Sequence, residues 1–238
     1  MPAPGGKDLK RILITGASRG IGRAIAQKLA NKETALLVHG RDREALAATC
    51  RSVEAEGSSA VPLIFDLADS SQVGQLIDAV GAEPLDTLIN NAGIAVVKPL
   101  EAISLDEWQR TIAVNVTAPF LLTKAFAARM QPGASIVNVL SIAAKSGFPG
   151  WSTYCMSKFA FEGFSQAVRE ELRPRGIRVI NVYPAATATD IWDGLEGDWS
   201  RDKMMSADEV AEAVRYALSR PPEVAIESIG LTSVSGQL

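Results

Sequence analysis

A tyrosine and a lysine four residues apart, Tyr154 and Lys158, are the side chains of this sequence whose spacing most directly suggests chemistry. The surrounding residues are rich in Ser, Met, Phe and Ala, and residues i and i+4 share one face of a helix. Because an ammonium favours the phenolate, we expect the pKa of Tyr154 to lie below its reference of about 10. Such a phenol suits acid or base catalysis near neutral pH. The spacing alone is a weak signal, since most such pairs are ordinary neighbours on a helix surface.

Three glycines near the start of the chain, Gly16, Gly20 and Gly22, follow a short apolar run at residues 11–15. Apolar residues then recur every fourth position across residues 21–29, so the pattern predicts a strand, a tight turn and a helix. The free N–H groups and the dipole of a helix N-terminus favour a pyrophosphate, which indicates a dinucleotide site. Because the spacing is Gly-x-x-x-Gly-x-Gly, and not the common Gly-x-Gly-x-x-Gly, a purely structural turn is the alternative.

The residues that follow the second predicted strand, residues 35–38, indicate which dinucleotide binds. About 20 residues beyond the glycines, an acidic side chain binds the ribose 2′-hydroxyl, whereas an arginine accommodates a 2′-phosphate. This chain has no acid there before Asp42, and Arg41 is joined by Arg19 of the glycine turn. We therefore predict a preference for NADP(H), with two solvated surface arginines as the alternative. We interpret His39 as a strand-end residue and not as a ligand.

Polar residues also follow the third, fourth and fifth predicted strands, and open parallel sheets bind ligands at that edge. Asp66 can accept a hydrogen bond from an adenine amino group or cap the next turn. The amides of Asn90 and Asn91 can tie neighbouring strand ends together, and Gly93 leaves room for a ribose. The fifth strand delivers Ser141 to the same edge.

A capping box, Ser104-Leu-Asp-Glu107, begins a predicted long helix over residues 104–130. Asn115 lies in its middle, although asparagine is a poor helix former whose side chain competes for backbone hydrogen bonds. We predict a local distortion that serves the site; the alternative is a satisfied amide between two helices.

Residues 191–205 mix tryptophan, leucine and methionine with acidic residues and glycine. This composition predicts a mobile lid whose apolar side chains face a substrate. The alternative is that these side chains pack on the body of the protein. A second capping box at residues 206–209 predicts the last helix.

The order of the predicted elements indicates an α/β fold. Repeated strand and helix units without sequence repeats favour a single doubly wound, Rossmann-like, parallel sheet of seven strands with helices on both faces. We expect one dinucleotide-binding and catalytic domain over residues 1–238. The predicted strands are residues 11–15, 35–38, 60–65, 87–89, 135–140, 177–182 and 228–234.

Composition excludes several classes of function. A net charge of −3 with mixed signs provides no basic stripe for nucleic acid, and no apolar run is long enough to span a membrane. A single histidine disfavours a Ser/His/Asp hydrolase or a multi-histidine metal site, so we predict no metal. The first ten residues lack the apolar core of a signal peptide, and the two cysteines form no framework, which favours the cytoplasm.

Together these motifs resemble the short-chain dehydrogenase/reductase family over essentially the whole chain, in particular its NADP(H)-preferring carbonyl reductases and 3-oxoacyl-acyl-carrier-protein reductases. The matching motifs occur in the family's order, and they are TGASRGIG at 15–22, NNAG at 90–93, Asn115, Ser141 and YCMSK at 154–158. Ser141 stands thirteen residues before Tyr154. Five agreements of this kind make the resemblance highly specific.

The resemblance implies a role for each residue that matches a family motif. Tyr154 would be the general acid for carbonyl reduction, and Lys158 would hold the nicotinamide ribose and tune Tyr154. Ser141 would hydrogen-bond the substrate oxygen, and Asn115 would support a proton relay through water. The implied cofactor contacts are Gly16, Ser18, Arg19, Gly20, Ile21, Gly22, Arg41, Asp66, Leu67, Asn91, Ala92, Gly93, Tyr154, Lys158, Pro184, Thr187 and Thr189.

Two residues depart from the family pattern. Ala185 replaces the glycine that usually follows Pro184, and Thr187 stands where a branched apolar residue is common. Because Ala185 adds a β-carbon near the expected nicotinamide ring, we expect that end of the cofactor to be seated differently.

The resemblance implies NADPH-dependent reduction of a ketone to an alcohol by hydride transfer. The alternatives are an NAD(P)-dependent alcohol or polyol dehydrogenase working oxidatively and a non-catalytic NADP-binding redox sensor. Residues 131–134 carry no charge, which favours a small free ketone, quinone, sugar or pterin over an acidic acyl carrier. The resemblance also implies a homodimer or homotetramer, and we expect neither nucleic acid nor membrane as a partner.

Overall fold

The computed structural model describes residues 9–195 and 199–234, and its centre is one parallel sheet of seven strands. The strand order is β3-β2-β1-β4-β5-β6-β7, and each neighbouring pair is parallel. This confirms the predicted doubly wound sheet. The strands are β1 (Lys10–Ile14), β2 (Thr34–Gly40), β3 (Ser59–Ile64), β4 (Thr87–Asn90), β5 (Ser135–Val139), β6 (Arg178–Pro184) and β7 (Ser228–Leu231).

Helices cover both faces of the sheet, as predicted. They are α1 (Gly20–Leu29), α2 (Arg43–Ala55), α3 (Ser70–Val80), α4 (Leu105–Ile112), α5 (Ala118–Ala127), α6 (Ser152–Leu172) and α7 (Ala207–Leu218). Short 3₁₀ turns occur at Leu100–Ala102, Ile142–Ala144, Arg173–Arg175, Asp190–Gly194 and Arg201–Lys203. None of the helices in the described part of the chain is both long and apolar enough to cross a membrane.

The predicted long helix over residues 104–130 is interrupted. A π-helical segment, Ala113–Thr117, separates α4 from α5. The capping box at Ser104 is complete, since the hydroxyl accepts from the Glu107 N–H and the Glu107 carboxylate accepts from the Ser104 N–H. At the start of α7 the structure shows the first half of the second box, in which the Ser206 hydroxyl accepts from the Glu209 N–H.

Two apolar cores lie on opposite faces of the sheet. Alternate residues of a strand point to opposite faces, and in β1 Ile12 and Ile14 pack with α1, α2 and α7, whereas Leu13 packs with α3 and α5. Because both faces are covered, the central strands are almost continuously apolar. Polar residues can therefore enter these strands only where they find partners.

An asparagine ladder, formed by Asn90, Asn138 and Asn181, crosses the buried centre of the sheet. The three residues are in register on β4, β5 and β6. The Asn90 amide donates to Asn138 Oδ1 at 2.9 Å, and the Asn138 amide donates to Asn181 Oδ1 at 3.3 Å. From α6, Ser165 accepts from Asn138 at 2.8 Å and Glu162 accepts from Asn181 at 3.0 Å. The ladder thus fastens α6 to the three strands beneath it.

Candidate active site

A cavity of about 290 Å³ lies at the carboxyl ends of the strands. Ser141 lines this cavity, whereas Asn115 lines a smaller cavity that shares Lys158 with it. All the residues that the sequence predicts as cofactor contacts line the larger cavity, namely Gly16, Ser18, Arg19, Gly20, Ile21, Gly22, Arg41, Asp66, Leu67, Asn91, Ala92, Gly93, Tyr154, Lys158, Pro184, Thr187 and Thr189.

The glycine turn between β1 and α1 cannot accept side chains at its three glycine positions. Gly16 and Gly20 have φ angles of 67° and 53°, which L-residues with side chains rarely adopt. A β-carbon on Gly22 would lie 2.2 Å from the Gly16 carbonyl oxygen and 2.5 Å from Asn91 Nδ2. The Asn91 amide donates to the Thr15 carbonyl at 2.8 Å, so it ties the end of β4 to this turn, as predicted.

His39 fixes the glycine turn from the neighbouring strand. Its Nδ1 accepts from the Gly16 N–H at 3.3 Å, and its Nε2 lies 3.1 Å from the Phe65 carbonyl, so the neutral tautomer with the proton on Nε2 satisfies both partners. Burial lowers its pKa from 6.5 to about 4. The side chain lines the cavity. The sequence interpretation of His39 as a strand-end residue identified its place but missed this contact.

We expect His39 to make the fold sensitive to acid. The folded protein resists protonation of His39 until about pH 4, whereas the unfolded chain takes up the proton near pH 6.5, so stability falls as the pH drops through this window. The expected loss between pH 7 and pH 4.5 is on the order of 2–3 kcal/mol of unfolding free energy. Urea unfolding at both pH values measures it.

The matched variant for this prediction is His39→Asn, which keeps one donor and one acceptor but does not titrate. Carboxylates titrate in both proteins, and the charged neighbours Arg41 and Asp66 are the same in both. The slope of unfolding free energy against pH therefore differs between the two proteins only through His39. Equal slopes for the two proteins would contradict the assignment.

The two predicted phosphate-binding arginines lie at the cavity, and both are exposed to solvent at its rim. Arg41 is exposed at the end of β2, and Arg19 Nη1 lies 3.9 Å from the carboxylate of Asp190. Asp66 caps its turn by accepting from the Ala68 N–H at 3.0 Å. Although burial opposes ionisation of Asp66, hydrogen bonds from Ala68 and Arg110 outweigh it and lower the pKa of this carboxyl. Asp66 therefore caps the turn and lines the cavity at once.

Asn115 lies within the π-helical segment, where its side chain is fully hydrogen-bonded. Its Oδ1 accepts from the Ile94 N–H at 2.9 Å, and its Nδ2 donates to the Ile94 carbonyl at 2.9 Å and to Ser157 Oγ at 3.0 Å. A β-carbon on Gly93 would lie 3.5 Å from Asn115 Oδ1 and 3.7 Å from Lys158 Nζ. The predicted distortion is present, and the same amide also links two helices.

Tyr154 and Lys158 lie one turn apart near the start of α6, next to Ser141. Burial raises the pKa of Tyr154 to about 12, and a side-chain hydrogen bond with Ser141 acts in the opposite direction. Burial lowers the pKa of Lys158 to about 8. Lys158 Nζ donates to the Val139 carbonyl at 3.1 Å and lies 5.6 Å from the centre of the Tyr154 ring. The expected lowering of the tyrosine pKa was wrong, because desolvation raises this pKa by more than the hydrogen bond with Ser141 lowers it.

The two departures from the family pattern meet in one loop after β6. The Thr187 hydroxyl donates to the Ala185 carbonyl at 3.0 Å, so its donor is used within the loop. The Thr187 carbonyl in turn accepts from Trp192 Nε1 at 2.7 Å. The loop is thereby braced against residues of the predicted lid.

The predicted lid, residues 191–205, contributes two tryptophans to the cavity, and residues 196–198 lie outside the described part of the chain. Trp192 and Trp199 line the cavity next to Trp151, which directly precedes α6. Sequence reasoning missed Trp151. Its position three residues before Tyr154 was the available signal, because residues i and i+3 on a helix are neighbours.

Comparisons with known proteins agree with this arrangement. The profile of the family described as short chain dehydrogenase matches residues 10–198. The D-threitol dehydrogenase of Mycolicibacterium smegmatis is 33% identical over 225 residues, which cover 89% of this chain and 86% of the relative. The 3-oxoacyl-(acyl-carrier-protein) reductase of Synechocystis is 34% identical over 219 residues, which cover 88% of this chain and 89% of the relative.

A solved structure shows the same similarity in three dimensions. The alcohol dehydrogenase from the archaeon Thermococcus sibiricus, complexed with 5-hydroxy-NADP, matches with a TM-score of 0.88 at 28% identity, over 97% of this chain and 99% of that one. Since the profile covers most of the sequence and relatives above 30% identity span nearly all of it, this chain belongs to the short-chain dehydrogenase family.

Proposed function

We propose that this protein reduces a ketone to an alcohol with NADPH and that Tyr154 is the general acid. The observation that carries the proposal is the placement of the Tyr154 phenol beside Ser141 and Lys158, in the same cavity as the glycine turn. A pKa of about 12 keeps Tyr154 protonated at neutral pH, which is the state that proton donation requires.

The cavity fits a dinucleotide with a 2′-phosphate. The glycine turn provides free backbone N–H groups at the start of α1, and Gly22 leaves no room for anything but backbone there. Arg19 and Arg41 stand where a 2′-phosphate would need cations. The structure of the similar alcohol dehydrogenase from Thermococcus sibiricus was solved with bound 5-hydroxy-NADP, which supports NADP(H) as the cofactor of this chain. When bound, NADPH supplies the hydride.

The residues of this chain align and protonate the substrate. Ser141 donates a hydrogen bond to the carbonyl oxygen, and Tyr154 transfers its proton to that oxygen as negative charge develops. Lys158 holds the ribose and stabilises the phenolate that remains, because its ammonium lies on the same helix face. Asn115 holds the π-helical segment beside Lys158 and supports the proton supply through water.

A second candidate is the oxidation of an alcohol or polyol, which the similarity to a D-threitol dehydrogenase favours. Oxidation would need Tyr154 as a phenolate base, whereas the protonated phenol is the form that donates a proton in reduction. A non-catalytic redox sensor would need the glycine turn alone and would have no use for the four catalytic candidates Asn115, Ser141, Tyr154 and Lys158.

We also propose one cytoplasmic domain that assembles as a homodimer or homotetramer. Cys50 and Cys155 are both unpaired, which suits a reducing compartment. Phe120 of α5 and Phe159 of α6 are 40% and 47% exposed, and contact with a second copy would remove this apolar surface from water.

The cofactor assignment predicts that NADPH binds at least tenfold more tightly than NADH. Charge-assisted hydrogen bonds from Arg41 to a 2′-phosphate explain the difference, so Arg41→Ala should weaken NADPH binding about tenfold and leave NADH unchanged. Calorimetric titration of both cofactors measures this. Arg43→Ala is the control, because Arg43 is exposed two residues further on and does not line the cavity. Equal affinities of the wild type for both cofactors would refute the NADP(H) preference.

The reductase assignment is tested by following NADPH absorbance with a panel of ketones, quinones, sugars, pterins and 3-oxoacyl thioesters. Oxidation of NADPH in the presence of one of these substrate classes would support the reductase assignment. Tight NADPH binding without turnover of the whole panel would overturn it in favour of the sensor.

A further inference from the structure

Three of the four tryptophans of the chain form one aromatic wall in the cavity, made of Trp151, Trp192 and Trp199. Trp151 lies 5.7 Å from Trp192 and 5.8 Å from Trp199, and Trp192 lies 4.9 Å from Trp199, measured between ring centroids. The ring of Trp151 also meets the ring of Tyr154 edge-to-face at 5.5 Å. The aromatic wall therefore begins at the proposed proton donor.

The charged side chains that line the cavity follow β2 or β3 or already have a partner in the structure. Among the described residues they are Arg19, Arg41, Asp66, Lys158 and Asp190. Arg41 and Asp66 follow β2 and β3, on the opposite side of the glycine turn from β5 and β6, where the adenosine half of the cofactor would lie. Arg19 lies against Asp190, and Lys158 donates to a backbone carbonyl. The lining of the cavity also includes the apolar side chains of Ile94, Ile142 and Phe148.

One polar atom of the wall has no partner. The indole N–H of Trp199 is buried without a hydrogen-bond acceptor in the described part of the chain, whereas the indole of Trp192 donates to the Thr187 carbonyl. Neither of these two indole N–H groups is therefore offered to the cavity, so both rings present apolar surface to a substrate. The several hydroxyls of a sugar or polyol would find no partner on this surface, which disfavours that class.

We propose that the substrate is an uncharged ketone conjugated to a planar aromatic ring system, whose ring packs against Trp151, Trp192 and Trp199. This inference rests on the reductase function proposed above. Aromatic rings favour edge-to-face and offset contacts with one another at these separations, and a carboxylate or phosphate would meet no counter-charge at the wall. In the reaction, hydride from NADPH forms the new C–H bond and Tyr154 protonates the oxygen. The products are the secondary alcohol, which carries the aromatic ring, and NADP⁺, and solvent returns the proton to Tyr154.

The test compares three ketones built on the same two-ring skeleton, with NADPH and the full-length protein: 2-acetylnaphthalene, its fully saturated decalin analogue, and 6-acetyl-2-naphthoate. We expect kcat/KM for 2-acetylnaphthalene to exceed each of the other two at least tenfold, as two aromatic contacts would provide. Equal or higher kcat/KM for the saturated or the charged ketone would overturn the aromatic substrate and leave the reductase function standing. A protein that binds NADPH but turns over none of the three, nor any other ketone, would refute both.

Variants at Trp199 assign the preference to the wall. Trp199→Leu should reduce the aryl-over-saturated ratio of kcat/KM about fivefold or more, and Trp199→Phe should restore most of it because the ring remains. NADPH affinity should not change in either variant, which shows that the fold is intact. Trp108→Leu is the control, since Trp108 lies on α4 outside the cavity and should leave the ratio unchanged. A ratio that is the same in Trp199→Leu and in the wild type would overturn the role of the wall.

Discussion

Tyr154→Phe is expected to lower kcat about a thousandfold while NADPH affinity stays within about twofold of the wild type. The substitution removes the proton donor and keeps the ring that contacts Trp151, so the cavity retains its shape. A positioned general acid contributes about a hundred- to ten-thousandfold to a rate. Steady-state oxidation of NADPH with the best ketone of the panel gives kcat, and calorimetric titration gives the affinity.

The control for this prediction is Tyr216→Phe. Tyr216 is 52% exposed on α7, away from the cavity, and its loss should leave kcat unchanged. A Tyr154→Phe protein that keeps more than a tenth of the wild-type kcat would show that another group protonates the substrate.

Gly22→Ala is expected to abolish measurable NADPH binding and to lower the free energy of unfolding by about 3 kcal/mol. The new methyl group would lie 2.2 Å from the Gly16 carbonyl oxygen, which is backbone and has no rotamer to escape to. The turn must therefore open, and the N–H groups that would hold the pyrophosphate move with it. NADPH titration and urea unfolding measure the two effects.

Gly74→Ala provides a control with the opposite sign. Gly74 lies within α3, and nothing stands within 4 Å of the β-carbon that alanine would add. Replacing a helical glycine with alanine stabilises by about 0.5–1 kcal/mol, so this variant should unfold at a higher urea concentration and bind NADPH normally. Normal NADPH binding by Gly22→Ala would mean that the glycine turn is not the pyrophosphate site.

Local patterns predicted most of the fold, because they report directly on local structure. Apolar runs placed all seven strands, and Gly16 to Gly22 predicted the turn between β1 and α1, since positive φ angles and close backbone contacts require glycine. The right-handed crossover rule constrains on which face of the sheet each connecting helix lies, but the strand order itself comes from the structure. Of the candidate site, the local patterns and the family resemblance together predicted residues that line one cavity in the structure, whereas Asn115 lines the smaller cavity.

Properties that depend on contacts between distant residues could not be predicted. The spacing of Tyr154 and Lys158 suggested a lowered tyrosine pKa, but burial sets the opposite sign, and burial is invisible in a four-residue spacing. Asn115 predicted a distortion, but neither its π-helical form nor the bonds of Asn115 to Ile94 and Ser157 could be predicted from the local sequence. The hydrogen bond from the Gly16 N–H to His39 joins the glycine turn to β2 across 23 positions of the sequence.

The asparagine ladder also fixes how the carboxyl ends of β4, β5 and β6 are aligned with one another at the candidate active site. If β5 slipped by one residue, Asn90 would face a valine at position 137 or 139, and several buried amide groups would lose partners at about 1–3 kcal/mol each. Three residues beyond Asn90, Asn138 and Asn181 the chain reaches Gly93, Ser141 and Pro184, each of which lines the cavity. The polar groups that fix the alignment of the strands in the core thus also set the spacing of the residues proposed to hold the ribose, the carbonyl and the nicotinamide.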